Sequence, residues 1–170
     1  GFRVRLIIDE PTAAAISYGL DKESDQILMV YDFGGGTFDV SIIEMVGGVF
    51  QVLSIKGNNK LGGDDLDERI VEFLLAEVKR QHGLDLTKDA RAMFRLRDAS
   101  QEAKIELSGV TKTHILVEAV AMTQKGPVTV DTELTRAKFE SLTGDLLEST
   151  IGPSREAIID AGLQPDDISN

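Results

Sequence analysis

The sequence predicts a mixed α/β fold. Segments with apolar residues at strand spacing alternate with segments at helix spacing, and glycine clusters separate the strands from one another. The order is strands then helices, twice over, with no internal repeat and no low-complexity linker in the 170 residues.

Taken in order, Phe2 to Ile8 reads as a strand. Pro11 follows at the first position of a helix, where its missing N–H costs nothing. That helix is expected over Thr12 to Leu20, closed by Gly19 or Asp21. Ile27 to Phe33, Thr37 to Met45 and Val49 to Ile55 form an antiparallel meander, divided by Gly34-Gly35-Gly36 and Gly47-Gly48. Asp64 to Gln81 is an amphipathic helix with Leu66, Ile70, Phe73, Leu74 and Val78 on its core face, ended by Gly83. Thr87 starts a second long helix, striped by Ala92, Leu96, Ala99, Ala103 and Leu107. His114 to Val120 and Val128 to Leu134 pair around Gly126-Pro127. Thr135 caps a helix running to about Ser149, and a last helix spans Pro153 to Ala161 with Gly162 just past its end.

Composition excludes several function classes. Hydrophobic residues make up 42% of the chain, enough for a globular core. The net charge of -11, from 29 acidic and 18 basic side chains, argues against a nucleic-acid or anionic-membrane surface. Without cysteine there is no disulfide framework or thiolate metal site, and the cytoplasm is the default location. No apolar run approaches the roughly 18 residues of a membrane span, and no signal peptide is visible. The start at Gly1 and the stop after a turn at Asn170 suggest an excised piece of a longer protein.

The sharpest chemical signal is Asp32-Phe33-Gly34-Gly35-Gly36-Thr37-Phe38-Asp39. With Gly35-Gly36 as a two-residue hairpin turn, Gly34 pairs with Thr37, Phe33 with Phe38, and Asp32 falls opposite Asp39. Two facing carboxylates repel, and a cation between them reverses that term. Magnesium is usually held through carboxylates, water and phosphate oxygens together. The glycines let backbone N–H groups approach an anion, and Thr37 adds a hydroxyl. A plain glycine-rich turn with two solvated aspartates is the bland alternative.

Two further signals are weaker. Leu61-Gly62-Gly63-Asp64 opens the first long helix, so Gly62 and Gly63 offer N–H groups at the positive end of its dipole, or Asp64 simply caps it. Gln101, Lys104 and Ser108 share one helix face, offset from the apolar stripe, and suit a ribose or base edge, or only solvent. Glu10 is either a cap or a carboxylate aimed at water in a site. His82 and His114 are isolated surface or loop residues.

These motifs resemble one family. Ile8-Asp9-Glu10-Pro11-Thr12-Ala13-Ala14-Ala15-Ile16-Ser17-Tyr18-Gly19-Leu20-Asp21-Lys22, the aspartate–glycine hairpin, and Lys60-Leu61-Gly62-Gly63-Asp64-Asp65-Leu66-Asp67 are similar to the ATPase domain of DnaK, the seventy-kilodalton heat-shock chaperones. Ala103-Lys104-Ile105-Glu106-Leu107-Ser108 and Leu134-Thr135-Arg136-Ala137-Lys138-Phe139-Glu140 continue the likeness, which covers essentially the whole chain.

The resemblance implies an actin-like, ribonuclease-H-like ATPase fold, seen mainly in its second lobe. Residues 1–21 would end the first lobe, 22–61 and 140–170 would form an incomplete sheet subdomain, and 62–139 its outer subdomain. It implies ATP or ADP with magnesium as cofactors. Gly34, Gly35, Gly36, Thr37, Gly62 and Gly63 would contact phosphate. Asp32 and Asp39 would hold the metal largely through water. Glu10, Asp32, Thr37 and Asp39 would make the catalytic shell, and Gln101, Lys104 and Ser108 would reach the nucleoside. The parent would couple ATP hydrolysis to peptide binding and protein folding, partnered by a nucleotide exchange factor and a J-domain co-chaperone. Where the family usually has Glu, Asn, His, Glu and Phe, this chain has Gln101, Asp9, Lys60, Asp64 and Leu66, which suggests a divergent bacterial paralogue with weaker ribose binding. Competing readings are a docking module for an exchange factor, or another actin-fold protein such as a sugar kinase or a filament protein.

Overall fold

The computed structural model describes residues 3–5, 7–17, 25–124 and 126–169. In chain order its elements are α1 (Glu10–Ser17), β1 (Gln26–Phe33), β2 (Phe38–Val46), β3 (Val49–Asn58), α2 (Gly63–His82), α3 (Ala90–Leu107), β4 (Lys112–Thr123), β5 (Gly126–Thr135), α4 (Arg136–Glu148) and α5 (Ile151–Asp160), followed by a short 3-10 turn at Pro165–Asp167. They fall into two compact units: the residues up to Gly62 with those from Glu148 onward, and Gly63–Leu147.

The first unit is built on an antiparallel sheet ordered β1-β2-β3. Alternation along the central strand β2 buries both faces, with Phe38, Val40, Ile42, Ile43 and Met45 wholly buried. Each such side chain contributes about 1.5–3 kcal/mol. One face packs Leu28, Val30, Ile43, Phe50 and Val52 against Ala15 of α1. The other meets α5: Ser54 donates to the Ala157 carbonyl at 2.6 Å, and the Tyr31 hydroxyl donates to Thr150 Oγ1 at 2.9 Å.

The second unit wraps α2 and α3 against the β4–β5 hairpin. Ile70, Val71, Leu74 and Val78 of α2, Ala92, Leu96, Ala103 and Leu107 of α3, and Ile115, Val117, Val128, Val130 and Leu134 of the hairpin make one core. Arg136, the first residue of α4, donates from Nε to the Leu107 carbonyl at 2.9 Å and from Nη2 to the Val110 carbonyl at 2.8 Å. A guanidinium there satisfies orphan carbonyls and complements the negative end of the α3 dipole.

Several expectations need correction. Residues 3–5 and 7–9 form no strand, and Val4 and Ile7 are exposed; a strand is stable only with a ladder partner, and they have none. Phe2, Leu6 and the expected helix end at Gly19 to Asp21 lie outside the described residues. Helix α1 starts two residues early because the Asp9 carboxylate accepts the Thr12 N–H at 2.9 Å. Helix α3 starts at Ala90, not Thr87: Asp89 caps it by accepting from Arg91 N and Ala92 N, both at 3.0 Å, while Thr87 turns back onto Asp85. Gly126-Pro127 lies inside β5 instead of forming the turn. Helix α5 begins two residues before Pro153, which sits in the first turn where no N–H partner is lost. At α4 the expected cap is present, with Thr135 Oγ1 accepting the Lys138 N–H at 3.1 Å. Gly162 follows α5 with a φ of 74°. His114 is exposed but not isolated, since its Nε2 lies 2.7 Å from Asp131 Oδ1 across the hairpin. His82 ends α2 on the surface.

Candidate functional site

In the first unit the hairpin has the register its sequence requires. Phe33 pairs with Phe38 and Asp32 with Asp39, and the Gly34 N–H donates to the Thr37 carbonyl at 2.9 Å. Residues two apart share a face, so Asp32 and Asp39 stand on the α1 side of the sheet, in line with Val30 and Ser41. A hollow of about 140 Å³ opens there, lined by Glu10, Pro11, Val30, Asp32, Asp39, Ser41 and Ile55. Asp9 supplies the cap of α1, so the alternative that Glu10 is the cap falls away, and Glu10 is one of the residues lining this hollow. The Thr12 hydroxyl, and after it the Thr12 N–H, hold the Asp9 carboxyl below its ordinary range.

Gly35 and Gly36 have open space where a Cβ would stand, and Thr37 is exposed beside them. Neither glycine has a left-handed φ, so this is not the mirror-image turn usual in tight hairpins. Their value lies in bare backbone on an exposed tip. Gly62 differs: a Cβ on it would collide with the carbonyl oxygen of Gly35 and lie within 2.6 Å of Gly36 N. The buried Gly62 thus carries the Gly35–Gly36 peptide flat against its Cα. Among the described residues no three carboxylate or imidazole side chains are grouped to hold a metal ion by themselves. Two carboxylates with room for water and phosphate beside them fit magnesium in its usual shell.

In the second unit, Gly63 is the first residue of α2, and Asp64 and Asp65 follow in its first turn, where negative charge is favourable. Lys104 and Ser108 line a groove of about 350 Å³ with Leu66, Leu107, Arg136, Phe139 and Glu140. Leu66 is therefore a half-buried groove residue and not core. Gln101, on the same helix, opens into a separate hollow of about 380 Å³ with Asp64, Asp67, Glu68, Phe94, Arg97 and Asp98. Gln101 and Lys104 on α3 and Ser108 at its C-cap do not share one cavity.

The Lys104 ammonium is already engaged. It donates to Asp67 Oδ2 at 2.8 Å and to the Gly63 carbonyl at 2.9 Å, leaving one of its three N–H bonds. The side chains are 22% and 12% exposed. Asp67 Oδ1 is buried without a hydrogen-bond partner. Sequence reasoning missed Asp67, although the signal was present: it lies three and four residues before Ile70 and Val71, on the apolar stripe of α2. An acid there is either paired or costly.

The chain matches the family described as Hsp70 protein over residues 1–170. The chain belongs to the Hsp70 family. Its mixed α/β units, with small antiparallel sheets and packed helices, are part of the actin-like ATPase fold of that family, and the residues are those of a chaperone ATPase domain. No helix among the described residues is long and apolar enough to cross a membrane.

Proposed function

We propose that this chain contributes the phosphate- and magnesium-binding portion of an ATP site in a DnaK-type chaperone, chiefly from the second lobe of its ATPase domain. The observation that carries the reading is the pairing of Asp32 with Asp39 across a bare glycine turn, with Glu10 in the same hollow. In this reading backbone N–H groups of Gly34, Gly35 and Gly36, with the Thr37 hydroxyl, grip phosphate oxygens. Gly62 and Gly63 add a second phosphate contact. Asp32 and Asp39 hold magnesium largely through its waters, and the bound ion neutralises charge on the phosphate oxygens. The Glu10 carboxylate orients the attacking water. Gln101, Lys104 and Ser108 receive the nucleoside, with Lys104 offering its remaining N–H. Positioning and charge stabilisation then do most of the catalysis.

In the parent protein this ATPase drives peptide binding and folding in the cytoplasm, with an exchange factor and a J-domain co-chaperone as partners. In this reading 22–61 with 140–170 are the sheet subdomain and 62–139 the outer subdomain, a division that differs from the two compact units chiefly in giving residues 140–147 of α4 to the sheet. The test is calorimetric titration of the chain with magnesium–ADP. Asp32→Asn and Asp39→Asn should each weaken binding at least about tenfold. Equal affinity in both variants and the parent chain overturns the proposal.

A further inference from the structure

Gly57 lies on β3 directly across from Asp39, and nothing in its backbone demands glycine: its φ lies outside the left-handed region and it is exposed on an ordinary strand. Glycine there is a weaker strand former than alanine. The reason for it is space. A Cβ at Gly57 would collide hardest with the Phe38 carbonyl oxygen, and would lie 2.8 Å from Asp39 Oδ1 and 3.1 Å from Asp39 Cα.

The register makes the same point a second way. Near the Gly47-Gly48 turn β3 pairs as Ile43 with Val52, but beyond a shift at Ile42/Ile43 it pairs as Ile42 with Ser54, so Leu53 is an extra residue. Continued without that bulge, the first pairing would set Lys56 opposite Asp39. Its ammonium would then sit beside the carboxylate and neutralise it. A one-residue slip also moves every side chain to the other face. In the observed register Lys56 pairs with Val40 and turns to the α5 face, where its Nζ reaches Asp160 Oδ2 at 2.6 Å.

We propose that Gly57 is a positioning residue for Asp39, and that the Leu53 bulge delivers bare backbone in place of Lys56 to that carboxylate. This rests on the reading of Asp32 and Asp39 as the metal pair. The Leu53 bulge re-aims one strand, as bulges beside active sites do. The missing side chain leaves the Asp39 carboxylate upright and uncompensated, which a cation then uses.

A double-mutant cycle with a metal readout tests it. The collision with the Phe38 carbonyl and the close approach to Asp39 Cα persist in every background, whereas the contact with the carboxylate disappears when Asp39 is alanine. Gly57→Ala should lower the melting temperature by about 5 °C in the parent chain, and by a smaller amount, about 3–4 °C, in an Asp39→Ala chain. An equal loss in both backgrounds overturns the proposal. Gly57→Ala should also weaken magnesium–ADP binding at least about tenfold, as loss of a supporting contact does at metal sites. Binding within about twofold of the parent overturns it too. If Asp39→Asn leaves magnesium–ADP binding untouched, the metal-pair reading fails and the metal role of Gly57 falls with it. The melting cycle decides separately whether Gly57 seats the Asp39 carboxylate.

Discussion

Replacing Lys104 with methionine removes one charge from the interior of the second unit while keeping the length and apolar stem of the side chain. In the native chain the ammonium joins Asp67 Oδ2 on α2 to Lys104 on α3 and also caps the Gly63 carbonyl. Asp67 is nearly buried, and its other oxygen has no partner. The variant therefore leaves the Asp67 carboxylate without its hydrogen bond and its paired ammonium, with like-charged Asp64, Glu68 and Asp98 lining the same hollow. Exposed ion pairs are worth only about 0–1 kcal/mol, but removing one partner of a buried pair costs about 3–5 kcal/mol. Lys104 is 22% exposed, which admits some water and moves the expectation to the lower end, about 3 kcal/mol. For a chain of this size that is a fall in melting temperature on the order of 10 °C. Asp67→Asn should lose about half as much, because the amide still accepts one bond. The double variant Lys104→Met with Asp67→Leu should recover most of the loss, since an apolar pair replaces an ionic one without a stranded charge. Thermal melts followed by far-ultraviolet circular dichroism, with amide exchange in α2 and α3, measure all three. A melting temperature for Lys104→Met within about 1 °C of the parent would refute the reasoning, as would a double variant no better than the single one.

Three other outcomes are expected. Neutralising Asp32 or Asp39 with asparagine should raise the apo melting temperature slightly, because two exposed charges about 6 Å apart repel by about 0.7 kcal/mol in a water-like dielectric; a marked fall in apo melts would mean that the pair is structural. Gly62→Ala should destabilise the first unit by about 1–3 kcal/mol by pushing on the Gly35–Gly36 peptide, and hydrogen exchange at the hairpin should rise with it; an unchanged melt contradicts the close approach. The Asp9 carboxyl is held below its ordinary value by Thr12, so its cap is present at neutral pH, and its contribution is lost as pH falls through the lowered folded value. The amides of α1 should therefore exchange faster in acid in the parent chain, and Asp9→Ala should remove that pH dependence; a helix whose acid response survives the substitution is not capped by Asp9.

Local chemistry made much of this protein legible. The glycine triplet between two apolar runs specifies a hairpin, and counting outward from the turn places Asp32 opposite Asp39 with no tertiary information. The apolar stripes of α2 and α3 locate their core faces, because a helix of 3.6 residues per turn can bury only one side. Thr135 before α4 and Gly162 after α5 mark helix ends through hydrogen bonds and φ values that are local properties. The family likeness rests on the same short stretches.

Other features depend on what lies opposite in space. Phe2 to Ile8 has strand composition, but strand formation needs a partner, and residues 3–5 and 7–9 have none. Asp89 outcompetes Thr87 as the cap of α3 because Thr87 is already bonded to Asp85, a choice between two plausible residues that only geometry makes. Asp67 looks like one more surface acid until the fold sets Lys104 of another helix beside it. Gly57 carries no local signal, since it needs no unusual φ, and the glycine pair before α2 flags Gly62 without showing what lies against it. The structural meaning of both lies in the atoms a side chain would strike, the Phe38 carbonyl and Asp39 for one and the Gly35–Gly36 peptide for the other. The sequence alone determined the helices, the two hairpins and which residues share a face, because those follow from periodicity and from bonds between near neighbours. The tertiary structure alone decided which buried charge is paired and where a side chain must be absent, because both are set by contacts between segments far apart in the chain.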